Sequence, residues 1–336
     1  MTKIKILDSK IKLRELSTRE RMAGENVMRN CLTVKQGEKV LVVTDSGKIK
    51  LEAPIFFETA KSFSKDVTLI EIPPTGQSGK EPPKEVIKAM CKADVVLLVT
   101  SFSLTHTQAR KKANEAGARI ASLPGITLET ILRTLTLNYS QIAQQTKAIT
   151  ALLTAASNAH LTSPNGTSIL IPLEGRDAVA DTGLITNPGD VGNLPAGEAY
   201  IAPLEGKANG IVIFDGAYGD MFLDEPVGIT VKDGRVKKIE GGHAAAQLLR
   251  LLEAIGPSSR NIAELGVGTN KAAKLGTGIL ETEKVYGTVH LALGSNITIG
   301  GEVDVPYHQD GVILKPTLEL DGKIILEEGQ FLNLKS

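Results

Sequence analysis

KVLVVTD, residues Lys39–Asp45, is a short apolar run rich in β-branched side chains, with no alternation that would leave one side to solvent. A strand of this kind is buried on both faces, which happens where helices cover both sides of a parallel sheet. The sequence on either side repeats the unit. Helix-like APIFFETAKSFS (53–64) leads to strand-like VTLIEIP (67–73), PKEVIKAMCKA (83–93) to DVVLLVT (94–100), and HTQARKKANEAG (106–117) to RIASLP (119–124). Helices alternating with buried strands predict an α/β domain with a doubly wound parallel sheet, placed at residues 1–135. Upstream, helical spacing of apolar residues runs from Ile11 to Cys31.

Beyond residue 135 the texture changes. An amphipathic helix over Ser140–Ala159 connects the domains, within residues 136–160. TSILIPL (167–173), EAYIAPL (198–204), GIVIFDG (210–216), GITVKDGRVKKIEG (228–241) and YGTVHLALG (286–294) then read as strands of a mainly antiparallel or mixed sheet. Helices are expected only at His243–Ala254 and Lys271–Leu275, so residues 161–336 form an α+β domain.

Composition narrows the function. Lys plus Arg (38) equal Asp plus Glu (38), so no global field attracts nucleic acid or an anionic membrane, and the partner is a peptide or small molecule. The N-terminus carries charges throughout and no apolar run approaches the roughly 18 residues of a membrane span, which predicts a cytoplasmic protein. Cys31 and Cys91 stand in no ligand spacing and read as buried fillers. Glycine is abundant and tryptophan absent, which suits tight turns and not base stacking.

The chemistry concentrates in the last third. In an extended strand, residues i and i+2 share a face, so His308 and Asp310 can present a nitrogen and an oxygen to one ion. His290 lies in an otherwise apolar run, where a metal partner accounts for it. Taken singly, His290 also reads as a hydrogen-bonded core histidine and His308-x-Asp310 as a surface turn pair. Taken together, two imidazoles and a carboxylate suit Zn, Co, Mn or Fe. Glu198 adds a carboxylate just after the Asn193-Leu194-Pro195 turn. Thr105 or Ser103 reads as a helix cap, and Arg176 as the partner of Asp177 or Asp181. ELGVGTN (264–270) lacks the order of a phosphate-binding loop.

NLPAGEAYIAPLEGKANG (193–210), followed by AELG (263–266), GTVHLALG (287–294) and H-x-D (308–310), resembles the thermophilic metalloaminopeptidase family of aminopeptidases T and S. LTVKQGEKVLVVTD (32–45) and ARIASLPGIT (118–127) extend the likeness over most of the chain. The resemblance implies that Glu198, Glu264, His290, His308 and Asp310 are metal ligands. It also implies homodimers and a pair of divalent ions that serve to release N-terminal residues from peptides. Two positions depart from the pattern: Val285 stands where the family has a ligand glutamate, with Glu283 the nearest replacement, and Ile297 where it has a tyrosine. The expectation is a metal-dependent aminopeptidase with one firmly held transition metal, a second possible, and Glu264 as general base. An alternative takes the two histidines and one carboxylate as the facial triad of a non-haem Fe(II) enzyme. The 2,5-dihydroxypyridine dioxygenases, which resemble the same peptidases, use a single iron. A metal-binding protein without catalysis is a third reading.

Overall fold

A computed structural model describes residues 4–219, 221 and 223–332. The chain divides into two compact units, one reaching Ser140 and taking in Gly183–Ala196, the other comprising Gln141–Thr182 and the chain from Gly197 onward.

The first unit is built on a six-stranded sheet in the order Lys5–Asp8, Asp66–Ile72, Lys39–Asp45, Val95–Val99, Arg119–Ser122, Val191–Asn193. The edge strand Lys5–Asp8 is antiparallel and every other pairing is parallel. Leu41, Val43, Val96, Leu98 and Ile120 project from the strands onto Val86, Met90, Ala109 and Ala113 of the helices Lys84–Met90 and Gln108–Glu115. Apolar burial of this kind holds the unit together, each large side chain contributing about 1.5–3 kcal/mol. Thr107 caps Gln108–Glu115 by accepting from Arg110 N. Ser103 and Thr105, the capping residues expected from the sequence, instead bond each other at 2.9 Å, and Thr105 reaches Ser122 Oγ at 2.6 Å. The first helix starts at Thr18, where Ser17 and Glu20 form a capping box, and ends in a π turn at Val27–Cys31.

The second unit holds two antiparallel sheets. Eight strands form one, ordered Arg235–Glu240, Val227–Lys232, Asn209–Phe214, Ser168–Pro172, Asn158–Thr162, Thr317–Leu320, Lys323–Glu327, Gln330–Phe331. Six form the other, ordered Ala217–Tyr218, His308–Ile313, Val289–Gly294, Ile262–Gly268, Glu198–Ile201, Val179–Asp181. Their apolar faces share one core, in which Ile169, Ile171, Val212 and Phe214 meet Leu265, Val267, Leu291 and Leu293. The amphipathic helix His243–Ile255 adds Leu248 and Leu252.

From Tyr139 onward the helices differ from the sequence reading at several places, Ile279–Thr282 forming a short helix that it did not include. The connecting helix spans Tyr139–Ala155, and the chain turns at once into the strand Asn158–Thr162 because Asp321 accepts from Ser157 N and Asn158 N, both at 2.8 Å. Lys271–Leu275 forms turns instead of a helix, since Asn270 Oδ1 takes the amides of Ala272 and Ala273. Among the described residues, no helix is long and apolar enough to cross a membrane. The α/β class and its parallel-sheet region agree with the sequence reading.

Candidate metal centre

Alternation along the six-stranded sheet sorts its side chains. Leu265 and Val267, Val289, Leu291 and Leu293, Ala199 and Ile201 point into the shared core. The residues between them are forced onto the opposite face. Register then lines these up: Glu198 lies across from Gly268 and Asp181, His290 from Gly266, and Ala292 from both Glu264 and Asp310, with His308 across from Gly294. A bulge between Ile262 and Glu264 lets Ile262 and Leu265 both reach the core, so Glu264 falls on the polar face. Gly266 is required there, because a Cβ on it would stand 1.9 Å from His290 Nε2.

The result is a compact cluster. His290 Nε2 lies 3.3 Å from Glu264 Oε1 and 3.5 Å from Glu198 Oε2, while His308 Nε2 lies 3.4 Å from Glu264 Oε2 and 3.9 Å from Asp310 Oδ1. Glu264, His308 and Asp310 offer ligand atoms within 4.8 Å of one another. His308 Nδ1 meets Ser295 O at 2.7 Å, a contact that keeps a proton on Nδ1 and points Nε2 toward the carboxylates. Asp310 Oδ1 and Glu198 Oε2 are buried without a hydrogen-bond partner, as expected of oxygens placed for an ion. Glu264, His308 and Asp310 are therefore a donor set that fits a first-row transition metal, with His290 and Glu198 beside them.

Electrostatics agree with that fit. Burial raises Glu264, but hydrogen bonds from His290 and His308 outweigh it and hold the carboxyl at about 2. Burial disfavours charge on both histidines, yet Glu264 and the other carboxylates lift His290 to about 9 and His308 to about 10. Burial and Glu283 push Asp310 up to about 7, and burial raises Glu198 to about 8 against the pull of Lys284. Such a cluster is rich in negative charge and holds protons where a cation can replace them.

Each residue expected from the sequence is placed. Glu264, His308 and Asp310 converge, His290 joins through Glu264, and Glu198 stands beside His290 with its other oxygen 3.1 Å from Lys284 Nζ. Glu283, the candidate replacement at the Val285 position, is paired to Lys284 at 2.6 Å. Ile297 is 47 % exposed. Arg176 pairs with Glu205 and Gly300 O, and not with Asp177 or Asp181, because Glu205 comes within its reach through the fold. Sequence reasoning missed Lys284 and Asp181 as members of this cluster. Its one available signal was the density of charge in Glu281, Glu283 and Lys284. Tyr218 and Tyr307, joined by their hydroxyls at 2.9 Å, were missed as well.

Fold and site together define an α/β protein with a histidine–carboxylate face on one sheet of its second unit. The family described as 2,5-dihydroxypyridine 5,6-dioxygenase (NicX) matches residues 22–333, and the chain belongs to that family. Its structure is similar to a 2,5-dihydroxypyridine dioxygenase from Pseudomonas putida KT2440, with a TM-score of 0.81 at 20 % identity, over 96 % of this chain and 99 % of the other. It is also similar to the aminopeptidase AmpT from Thermus thermophilus, with a TM-score of 0.70 at 16 % identity, over 94 % and 98 % of the two chains. No curated protein matches the chain.

The peptidase resemblance thus holds for the fold, and the function expected from it is corrected. The family is one of dioxygenases, which are oxidoreductases, so aminopeptidase, protease and hydrolase activity are set aside. With hydrolysis goes the general-base role of Glu264. The physical reason is that the strand positions cited for a peptidase belong to a fold shared by both chemistries, and a shared fold does not choose between them.

Proposed function

We propose that this protein is a mononuclear Fe(II) dioxygenase that opens the ring of a dihydroxylated pyridine. One observation carries the reading: within a chain of this family, the imidazoles of His290 and His308 face the carboxylates of Glu264 and Asp310 on one side of one sheet. That donor set suits Fe(II) with positions left open. Iron bound there would supply the redox chemistry by which dioxygen reacts with a closed-shell aromatic ring. The protein's own part is to hold the ligands on a rigid sheet whose other face is packed core, and to fix the His308 tautomer through Ser295 O. Homodimers and a cytoplasmic location, expected from the sequence, stand beside this as proposals.

Anaerobic reconstitution with Fe(II), Zn(II) or Co(II), followed by oxygen-uptake and absorbance assays on 2,5-dihydroxypyridine and its isomers, tests the function. Uptake with loss of the aromatic band is expected with Fe(II) alone. Absence of uptake with Fe(II) on every dihydroxypyridine would overturn the proposal.

A further inference from the structure

Lys284 is fully buried, at 0 % exposure, on the face that carries the metal centre. The sheet is shaped to bring it there. Gly268 has no side chain, and a Cβ on it would stand 2.1 Å from Val285 O and 2.8 Å from Lys284 C, so the Lys284–Val285 backbone lies directly on the strand. Asn270 N donates to Lys284 O at 2.9 Å and Gly287 N to Gly268 O at 3.1 Å, which fixes the segment. From this backbone the ammonium enters a nest of three carboxylates: Glu283 Oε1 at 2.6 Å, Glu198 Oε1 at 3.1 Å and Asp181 Oδ2 at 3.8 Å.

A lysine buried this way loses its hydration and is retained only where carboxylates replace it. The converse holds for the carboxylates. Asp181 and Glu198 lie directly opposite each other on adjacent strands, two carboxyl groups that ionise together only with a cation between them. Carboxylate oxygens around one point are also the donors that a divalent ion takes. Glu198 ties this nest to the metal centre, since Oε1 faces Lys284 Nζ while Oε2, which has no hydrogen-bond partner, lies 3.5 Å from His290 Nε2. A carboxylate that turns one oxygen to each of two neighbouring cation positions has the geometry of a bridging ligand in a two-ion centre.

We propose that Lys284 Nζ occupies the second of those positions, a cation carried by the chain itself, and thereby limits the centre to one metal ion. The inference rests on the metal centre described under the proposed function. It assigns Glu198 Oε1, Asp181 and Glu283 to the ammonium, and leaves Glu264, His290, His308, Asp310 and the second oxygen of Glu198 to the metal. Charge balance gives the consequence: removing the ammonium while keeping its carboxylates opens a site for a second divalent ion.

The test counts ions on the full-length protein, using Mn(II) and Zn(II) as probes, by equilibrium dialysis with metal analysis and by Mn(II) electron paramagnetic resonance. The wild type and Lys284→Arg are expected to bind one ion per chain and to give an isolated Mn(II) signal. Lys284→Ala and Lys284→Met are expected to bind two and to give an exchange-coupled pair. If either variant is unfolded without metal, recovery of the native fold with two ions bound supports the proposal, and failure to fold at any Mn(II) concentration overturns it. Two ions on the wild type, or one on folded Lys284→Ala and Lys284→Met, overturn it as well. The count is independent of oxygen chemistry: one ion on a wild type that opens no ring would sink the dioxygenase reading and leave the lysine assignment standing.

Discussion

At the residue scale, His290 and His308 hold protons that a metal ion must displace. In the metal-free protein burial works against charge on both rings, but the facing carboxylates win and lift them to about 9 and 10. Asp310 is raised to about 7 by burial and by Glu283, so it too takes up a proton in mildly acid solution. The sign follows directly. Metal affinity should rise with pH through the neutral range, steepest below pH 7 where three groups compete with the ion, and level off above the histidine values. Calorimetric Zn(II) titrations in buffers of different ionisation enthalpy should show protons released on binding at pH 7. Affinity independent of pH between about 6 and 9 would remove these side chains from the site. For the metal-free fold the sign reverses: groups raised in the folded state stabilise it fully below their unfolded value of about 6.5, and that contribution is lost as pH climbs through 9 to 10.

At the element scale, the strand Ile262–Gly268 separates stability from chemistry residue by residue. Leu265 is buried in the shared core, while Glu264, its neighbour, faces both histidines. Leu265→Ala should therefore cost about 2–5 kcal/mol of folding stability and leave metal content unchanged in the protein that remains folded. Glu264→Gln should lower metal content with a far smaller loss of stability to denaturant in the presence of chelator. Urea unfolding with metal analysis on both variants checks this, and equal loss of metal from the two would show that the faces are not independent. The strand was poorly legible in the sequence, because Gly266 and Gly268 weaken strand propensity and make ELGVGTN look like a loop. Its alternation was nonetheless present, with Ala263, Leu265 and Val267 set against Glu264, Gly266 and Gly268.

At the scale of the whole molecule, all five ligands expected from the sequence, Glu198, Glu264, His290, His308 and Asp310, lie in the second unit. A metal that binds only the folded unit should stabilise it by about 2.7 kcal/mol at 100 times its dissociation constant. Scanning calorimetry should accordingly show a transition that moves down on chelation and back up on adding Zn(II). A thermogram unaffected by either would place the metal outside the cooperative unit. The sequence by itself determined the alternating helices and buried strands of the first unit, because apolar periodicity is a local property. It also singled out the His308-x-Asp310 pair, because i and i+2 share a strand face. Only the tertiary structure decided that residues 183–196 return to the first sheet, since strand order is a matter of long-range pairing. In the same way, Lys284 looks like any surface lysine in ETEKVYG (281–287), and its burial among Asp181, Glu198 and Glu283 arises from strands brought together from distant parts of the chain. Charge compensation in a protein interior is set by which side chains meet in space, and nothing in their sequence spacing records it.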